Sequence, residues 1–322
     1  MVSALPDDET LEVALGMAVR APSVHNSQPW RWRIAGDHIA LHADPDRHLP
    51  HTDPQQRALV VSCGAALHHL RVALAGLGWA ATVTRVPDPD HPDLLATITT
   101  TPRRPSDVDI EMTAAILNRQ SDRRRYADWR VPPGYIRTVS TRANRFGAAV
   151  RHVPGLLRPQ LAGSVRRAAT RHADDADYLY ELTAWSGRHG TPDGVPARNT
   201  PPPRPTDEIP SRLFAGPALT DAAAGSDGAE WLVVCTAGDD RRFQLSAGEA
   251  TSALLLAATD LGLSTCIQTE PLGMRDLRHD IRRAVLHDCA FPQTMVRIGW
   301  VPVNTAPLPS TPRRAVGDIV DR

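Results

Sequence analysis

With 322 residues and 42% hydrophobic content the chain can bury a sizeable core, either as two ordinary domains or as one large fold. Its 36 basic residues balance 36 acidic ones, so no overall field recruits nucleic acid or an anionic membrane. All the basic residues are Arg, whose planar fork suits phosphate and carboxylate.

The first segment, MVSALPDDETLEVALG, is acidic before it is apolar, the reverse of a secretory signal, and no uninterrupted apolar run is long enough to span a bilayer. Cys63, Cys235, Cys266 and Cys289 are far apart and form no CxxC pair, so neither a zinc site nor a disulfide framework is indicated. A soluble protein of the reducing cytoplasm is expected. A short helical pattern then leads into APSVHNSQPW (21–30) and an alternating strand pattern. Pro22 stops the helix, because the residue before a proline is pushed away from α, and the following short polar groups are left free to face a ligand. Asn26 and Gln28 can each donate and accept; His25 can point either way.

SCGAALHHLRVALAGLGWAATVTRVP (62–87) recurs without a gap as SAGEATSALLLAATDLGLSTCIQTEP (246–271), pairing Ser62 with Ser246, Gly64 with Gly248, Leu70 with Leu254, Gly78 with Gly262 and Pro87 with Pro271. Each copy reads as a helix ending at Gly, followed by a short strand, and together they predict two related halves. GLGWAA (76–81) matches a dinucleotide fingerprint only superficially, since it follows a helix and precedes a strand; it reads as a helix stop. His68–His69 and the histidines of DPDRHLPHTD lack metal-site spacing and read as surface or capped histidines.

ILNRQSDRRRYADW (116–129) follows an amphipathic pattern carried by Ile110, Ala114 and Leu117. If the chain turns there, Arg119, Ser121 and Arg123 converge on one anion, with phosphate as the natural guest; otherwise the run is a solvated basic turn. Beyond it, helical patterns such as QLAGSVRRAATRHADDADYLYELTAW give way to GTPDGVPARNTPPPRPTDEIPSR, where clustered Pro and Gly forbid regular structure. That stretch is a lid or a linker.

Together these pieces resemble the FMN-dependent nitroreductase superfamily, whose members carry an RRSxRxF-like segment, an APSxxNxQPW-like segment entering a strand and a GAAxxNLLLAAxxLGL-like helix. The ten-residue APSVHNSQPW match is specific. RQSDRRRY is looser, with one residue more before its Tyr. The first half carries APSVHNSQPW without an arginine motif before it, whereas the second carries Arg119–Arg125 and only ANRFGAAVRHV where the other motif would fall. Such a tandem chain resembles the actinobacterial Acg-like branch.

The resemblance implies an α+β fold with two related halves, 1–105 and 106–322, fused as an intramolecular pseudo-dimer with a lid-like insertion at about 151–228. It further implies one complete FMN site between the halves and a degenerate second site. Arg119, Ser121 and Arg123 would hold the phosphate, with Arg124 as substitute if the extra residue shifts register. Arg313 and Arg314, in TPRRAVGD, would close on the same group, and RIGWVP (297–302) is similar to the strand end preceding that tail. Pro22, Ser23, Asn26 and Gln28 would reach across the interface, and Gln268, Thr269 and Glu270 would lie beside flavin N5. Trp185 and Arg188 are candidates for the flavin's pyrimidine edge. No catalytic residue and no metal are implied.

The implied function is oxidoreduction from NAD(P)H through FMN to a nitroaromatic, quinone or similar small acceptor. The alternative is an FMN-binding or flavin-sequestering protein with a lid-occluded site and little or no turnover, and a third reading is an interaction protein that has lost the cofactor. Neither nucleic acid nor a membrane is an expected partner. A monomeric pseudo-dimer is expected, with further association left open.

Overall fold

The computed structural model of the chain describes residues 5–204, 206–221 and 227–321. Residues 205 and 222–226 of the expected insertion, together with 1–4 and 322, lie outside the described residues. Helix α1 (Asp8–Ala18) starts where the Asp7 side chain accepts from Thr10 N at 2.8 Å, and it buries Leu11, Ala14, Leu15 and Ala18. After the 21–30 turn, β1 (Trp30–Ala35) and β2 (His38–Ala43) form an antiparallel hairpin. Trp30 and Trp32 are inward and Arg31 is outward, as strand alternation requires.

Helix α2 (Arg57–Gly76), β3 (Trp79–Arg85) and β4 (Leu94–Pro102) complete this layer, and Gly78, at φ +90°, is the stop between helix and strand. By length and composition α2 could cross a membrane, but most of it is buried inside the protein, and His68, His69 and Arg71 interrupt its apolar run. Helix α3 (Asp107–Asn118) begins at a Ser106–Asp109 capping box. It packs through Ala115 and Ile116, while Ile110, Ala114 and Leu117 form its exposed side, opposite to the expected orientation. The helix is apolar on both sides, so periodicity could not choose between them.

The second layer starts with α4 (Pro133–Asn144) and β5 (Ala149–Val153). Helices α5 (Arg158–Ala173) and α6 (Ala176–Ala184) and the short parallel strands β6 (Ser186–Arg188) and β7 (Val195–Pro196) follow. The Pro-rich stretch is therefore not wholly irregular: it holds β7 and a 3-10 turn at Ala197–Asn199, and the described residues of 190–221 are termed the strap. Strand β8 (Glu230–Thr236), α7 (Arg241–Asp260), β9 (Ser264–Gln268), α8 (Arg275–Leu286) and β10 (Phe291–Gly299) finish the layer, and β11 (Val320–Asp321) returns to the first one.

Besides the β6–β7 pair two larger sheets result, ordered β11-β1-β2-β4-β3 and β5-β8-β10-β9, and all their pairings are antiparallel except β1 with β11, where Trp32 lies beside Val320. Trp30, Trp32, Leu15 and Leu67 fill one core between the first sheet and α1 and α2. Val139, Leu232, Leu254 and Val296 fill a second core under α4 and α7, and Leu161, Val233, Ile281 and Met295 a third on the opposite face of the second sheet.

The repeat is visible as geometry. An offset of 184 residues carries α2 onto α7 end for end, and the two helices cross at the centre of the molecule. His68 Nδ1 meets the hydroxyl of Ser252, its counterpart in the other copy, at 2.8 Å. His69 also reaches Ser252 at 2.8 Å, so both histidines are buried in the helix crossing rather than placed at the surface. Burial first, then the Arg71 charge, pushes the His68 pKa down to about 3, so it stays neutral.

Candidate functional site

Two adjoining cavities lie where the layers meet, and Pro22, Ser23, Ser121 and Arg123 line both. The larger one is floored by Ala58, Val61, Ser62 and Ala65 of α2. Cys266 to Glu270 at the end of β9 form another wall, and Ser211, Arg212 and Phe214 of the strap a third. The smaller one is basic, lined by Arg20, Arg119, Arg123 and Arg313 with Asn26, Ser310 and Thr311.

The 121–122 segment reaches this site because it extends the edge of β9. Ser121 bridges to Thr265 in parallel, and Asp122 N donates to Thr265 O at 2.8 Å. Arg119, at the end of α3, thereby points its guanidinium between the layers, where Nη2 donates to Arg20 O at 3.1 Å. Its Nε and Nη1 are buried without a partner. Arg313 Nη2 donates to the same carbonyl at 3.3 Å, and its Nε is likewise buried and unpartnered. Among the described residues no carboxylate forms an ion pair with Arg20, Arg119 or Arg313.

Desolvation, then Arg20, lowers the Arg119 pKa to about 10. Desolvation, then Arg119 and Arg20, lowers that of Arg313 to about 9. Buried cations normally sit beside an anion. Unpaired N–H groups and mutually repelling cations therefore make a cradle for a ligand that is itself anionic and rich in acceptors. Arg123 completes the rim, with Nη1 on Asn199 O at 3.3 Å and its guanidinium 5.0 Å from the Phe214 ring centre.

The 21–30 segment divides its labour. Pro22 and Ser23 line both cavities, and the Ser23 hydroxyl accepts from Gln28 N at 3.0 Å. Asn26 lines the smaller cavity while its Nδ2 donates to Gly194 O at 3.1 Å and Pro312 O at 3.2 Å, tying strap and tail to the turn. Gln268, Thr269 and Glu270 line the larger cavity. Glu270 Oε1 lies 3.0 Å from His172 Nδ1, and the His172 ring stacks on Tyr178 at 3.6 Å.

Three expected ligands face protein instead. Gln28 is fully buried, accepting from Arg314 N at 2.9 Å and donating to Pro192 O at 2.9 Å, so it braces the strap. Arg124 is buried against Asp122, with Nη2 to Oδ2 at 2.8 Å, and the extra residue before Tyr126 turns it inward. Arg314 donates to Gln28 O and Asp318 O and lies 3.7 Å from Asp44. Trp185 and Arg188 are at the base of the strap, where Arg188 and Arg47 both hold Asp193 and both approach the Trp185 ring.

Sequence reasoning missed Arg20, Asn199 and the wall of Arg212 and Phe214. Arg20 directly precedes APSVHNSQPW, so proximity was its only signal; the strap residues gave none. In the other copy of the repeat, Glu249 stands where Ala65 does and Arg85 where Thr269 does. Glu249 is fully buried, and Arg71 Nη1 and Arg85 Nε each donate to it at 2.6 Å. The symmetry-related position is thus occupied by the protein's own ion pairs.

No protein-family model matches the chain. It is 48% identical over 319 residues to a Mycobacterium tuberculosis protein named provisionally as the NAD(P)H nitroreductase Rv3131, covering 98% of this chain and 92% of the relative. It is 36% identical over 319 residues to the protein of the same organism named provisionally as the NAD(P)H nitroreductase Acg, covering 97% and 95%. A solved Bacteroides fragilis nitroreductase with bound FMN overlaps 62% of this chain and 94% of its own, with 14% identity and a TM-score of 0.40. For the FMN-dependent nitroreductase NfnB of Mycobacterium smegmatis in complex with NADPH, coverage is 63% and 95%, identity 17% and TM-score 0.39. The identity and coverage of the full-length relatives, together with the repeat and the interlayer site, establish that this chain belongs to the NAD(P)H nitroreductase family, in the branch that includes Acg.

Proposed function

We propose that the chain is a cytoplasmic FMN-binding oxidoreductase that takes electrons from NAD(P)H and delivers them to a nitroaromatic, quinone or similar acceptor. The observation that carries this reading is the pair Arg119 and Arg313: Arg119 Nε and Nη1 and Arg313 Nε are buried without a partner, and among the described residues no carboxylate pairs with either cation. A phosphate monoester matches that donor set, and the larger cavity alongside has the apolar floor that suits a planar ring. When bound, FMN supplies the hydride chemistry, which leaves the protein to bind, orient and control access. Arg119, Arg123 and Arg313 hold the phosphate end, Ser23 and Ser121 lie at the junction, and the 268–270 strand end borders the ring.

The test is FMN titration of the purified protein, followed by anaerobic addition of NADPH. Uptake and bleaching are expected, and a protein that takes up no FMN sinks the reading. The relatives' names support nicotinamide as the donor.

A second reading is favoured by the strap. Ser211, Arg212 and Phe214 close one wall of the cavity, and the strap is latched by Asp193 to Arg47 and Arg188 and by Asp207 to Arg125. A closed strap keeps the nicotinamide from the reach of about 3–3.5 Å that hydride transfer needs, which gives an FMN-sequestering protein with little turnover. Reduction by dithionite but not by NADPH, with NADPH reduction appearing once the strap is shortened, selects this reading. Sedimentation of the loaded protein reads whether the single-chain pseudo-dimer associates further.

A further inference from the structure

The wall of the larger cavity includes His25, a side chain with a hydrogen-bond donor that the flavin reading does not use. His25 lines this cavity and is only 6% exposed. Its Nε2 lies 2.5 Å from Arg212 Nη1. A guanidinium can only donate, so Nε2 contributes its lone pair and the neutral ring carries its proton on Nδ1. That Nδ1–H is buried and has no hydrogen-bond partner among the described residues.

The ring cannot easily turn away. Phe214 packs its edge against the imidazole at 5.7 Å and 76°. The backbone is held left-handed at His25 (φ +47°) and Asn26 (φ +54°), with Val24 N on Ser62 Oγ at 3.1 Å and Asn26 N on Ser23 O at 3.1 Å. Burial first, then Arg212, Arg123 and His172, holds the ring pKa well below its ordinary 6.5, so the tautomer persists through neutral pH. A preorganised donor flanked by Arg212 and Arg123 suits an oxygen that gains negative charge during reaction.

We infer that His25, fixed by Arg212 of the strap, donates through Nδ1–H to an oxygen of the electron acceptor, of the nitro or quinone-carbonyl class. This inference rests on the FMN oxidoreductase reading. When a quinone gains hydride from the reduced cofactor, its carbon–oxygen π electrons move onto oxygen. The Nδ1–H hydrogen bond stabilises that charge, and water supplies the proton on release.

The discriminating variant is His25→Gly, because Gly adopts the left-handed backbone without strain and carries no side-chain donor. Expected in FMN-loaded His25→Gly is a roughly tenfold slower reoxidation of reduced flavin by p-benzoquinone. FMN affinity and the rate of reduction by NADPH or dithionite should stay within about twofold of wild type. Independently of turnover, ¹⁵N NMR of the FMN-free protein should show His25 protonated at Nδ1 and bare at Nε2, a state lost in Arg212→Gln. FMN affinity that falls as much as quinone reactivity overturns the inference, because the oxygen then belongs to the flavin. An unchanged quinone rate, or an Nε2–H tautomer, overturns it as well. Wild-type protein that takes up no FMN overturns the functional reading together with this one, whereas FMN uptake with an unchanged quinone rate removes this one alone.

Discussion

Gly64 and Gly248 touch each other across the crossing of α2 and α7. A Cβ on Gly64 would lie 2.1 Å from the Leu245 carbonyl oxygen and 2.9 Å from Gly248 Cα; one on Gly248 would lie 2.1 Å from the Val61 carbonyl oxygen and 2.8 Å from Gly64 Cα. Because the obstructing atoms are backbone, a methyl group at either position forces the helices apart. Gly64→Ala and Gly248→Ala should each cost about 1–3 kcal/mol in urea unfolding. Both substitutions strain one crossing, so the double variant should cost less than the sum. Additive losses would mean that the two glycines do not share a contact.

Arg119→Ala should weaken FMN binding by roughly ten- to hundredfold, the loss of one charged hydrogen-bond donor to phosphate. The same change removes a buried unpaired cation, so the FMN-free protein should gain stability. Weaker binding with an apo protein at least as stable as wild type is the signature to look for in paired titration and thermal melts. A destabilised apo protein would show that Arg119 already has an anionic partner.

A pH effect follows from the same cations. In the FMN-free fold Arg313 has a pKa near 9 and Arg119 near 10, both well below the ordinary guanidinium range. Above those values the unfolded chain, whose arginines keep their ordinary pKa, binds more protons, so stability rises with pH through this contribution; below about 9 both states are charged and the full penalty remains. Tyr178, raised to about 12 by burial first, acts oppositely above pH 10. The clean readout is therefore the difference between wild type and Arg119→Gln/Arg313→Gln. That difference should shrink as pH rises from 8 to 10, and a difference independent of pH would refute the lowered values.

Glu249 accounts for a stoichiometry. With Arg71 and Arg85 occupying the position related by the repeat, one flavin per chain is expected from the ratio of visible to ultraviolet absorbance. Glu249→Gln should destabilise the protein by about 3 kcal/mol, because it leaves two cations facing a neutral amide. Two flavins per wild-type chain would contradict the occupied position.

Asp193 anchors the strap through Arg47 and Arg188, at sites only partly buried. Asp193→Asn should release about 1 kcal/mol of latching, which is roughly a fivefold faster exchange of FMN and faster nicking by protease within 190–215. Unchanged exchange would indicate that the turn at Asn26 and Gln28, not the ion pairs, holds the strap down.

What the sequence disclosed follows the range of the interactions involved. The two crossing helices and the stop at Gly78 are local matters of period and backbone freedom, and they were legible from 62–87 and 246–271 alone. So was the polar turn at 21–30, because Pro22 and the strand pattern bracket it. Whether Arg123 or Arg124 faces the cavity depends on how Ser121 and Asp122 join β9, which no local pattern encodes. Gln28 looked like a ligand because an amide suits a ligand as well as it suits Pro192 O and Arg314 N. The wall of Arg212 and Phe214 is set by contacts with His25 and Arg123, both distant in sequence, within a stretch whose composition speaks only of turns.

The return of β11 to the first sheet fixes an order of events. Arg313 and the strand that anchors its tail follow every other segment of the site along the chain, so a ribosome can emit both layers, the strap and three of the four arginines before the cradle closes. The four cations of the smaller cavity come together only once the segment bearing Arg313 has been made, whatever order the rest of the fold takes.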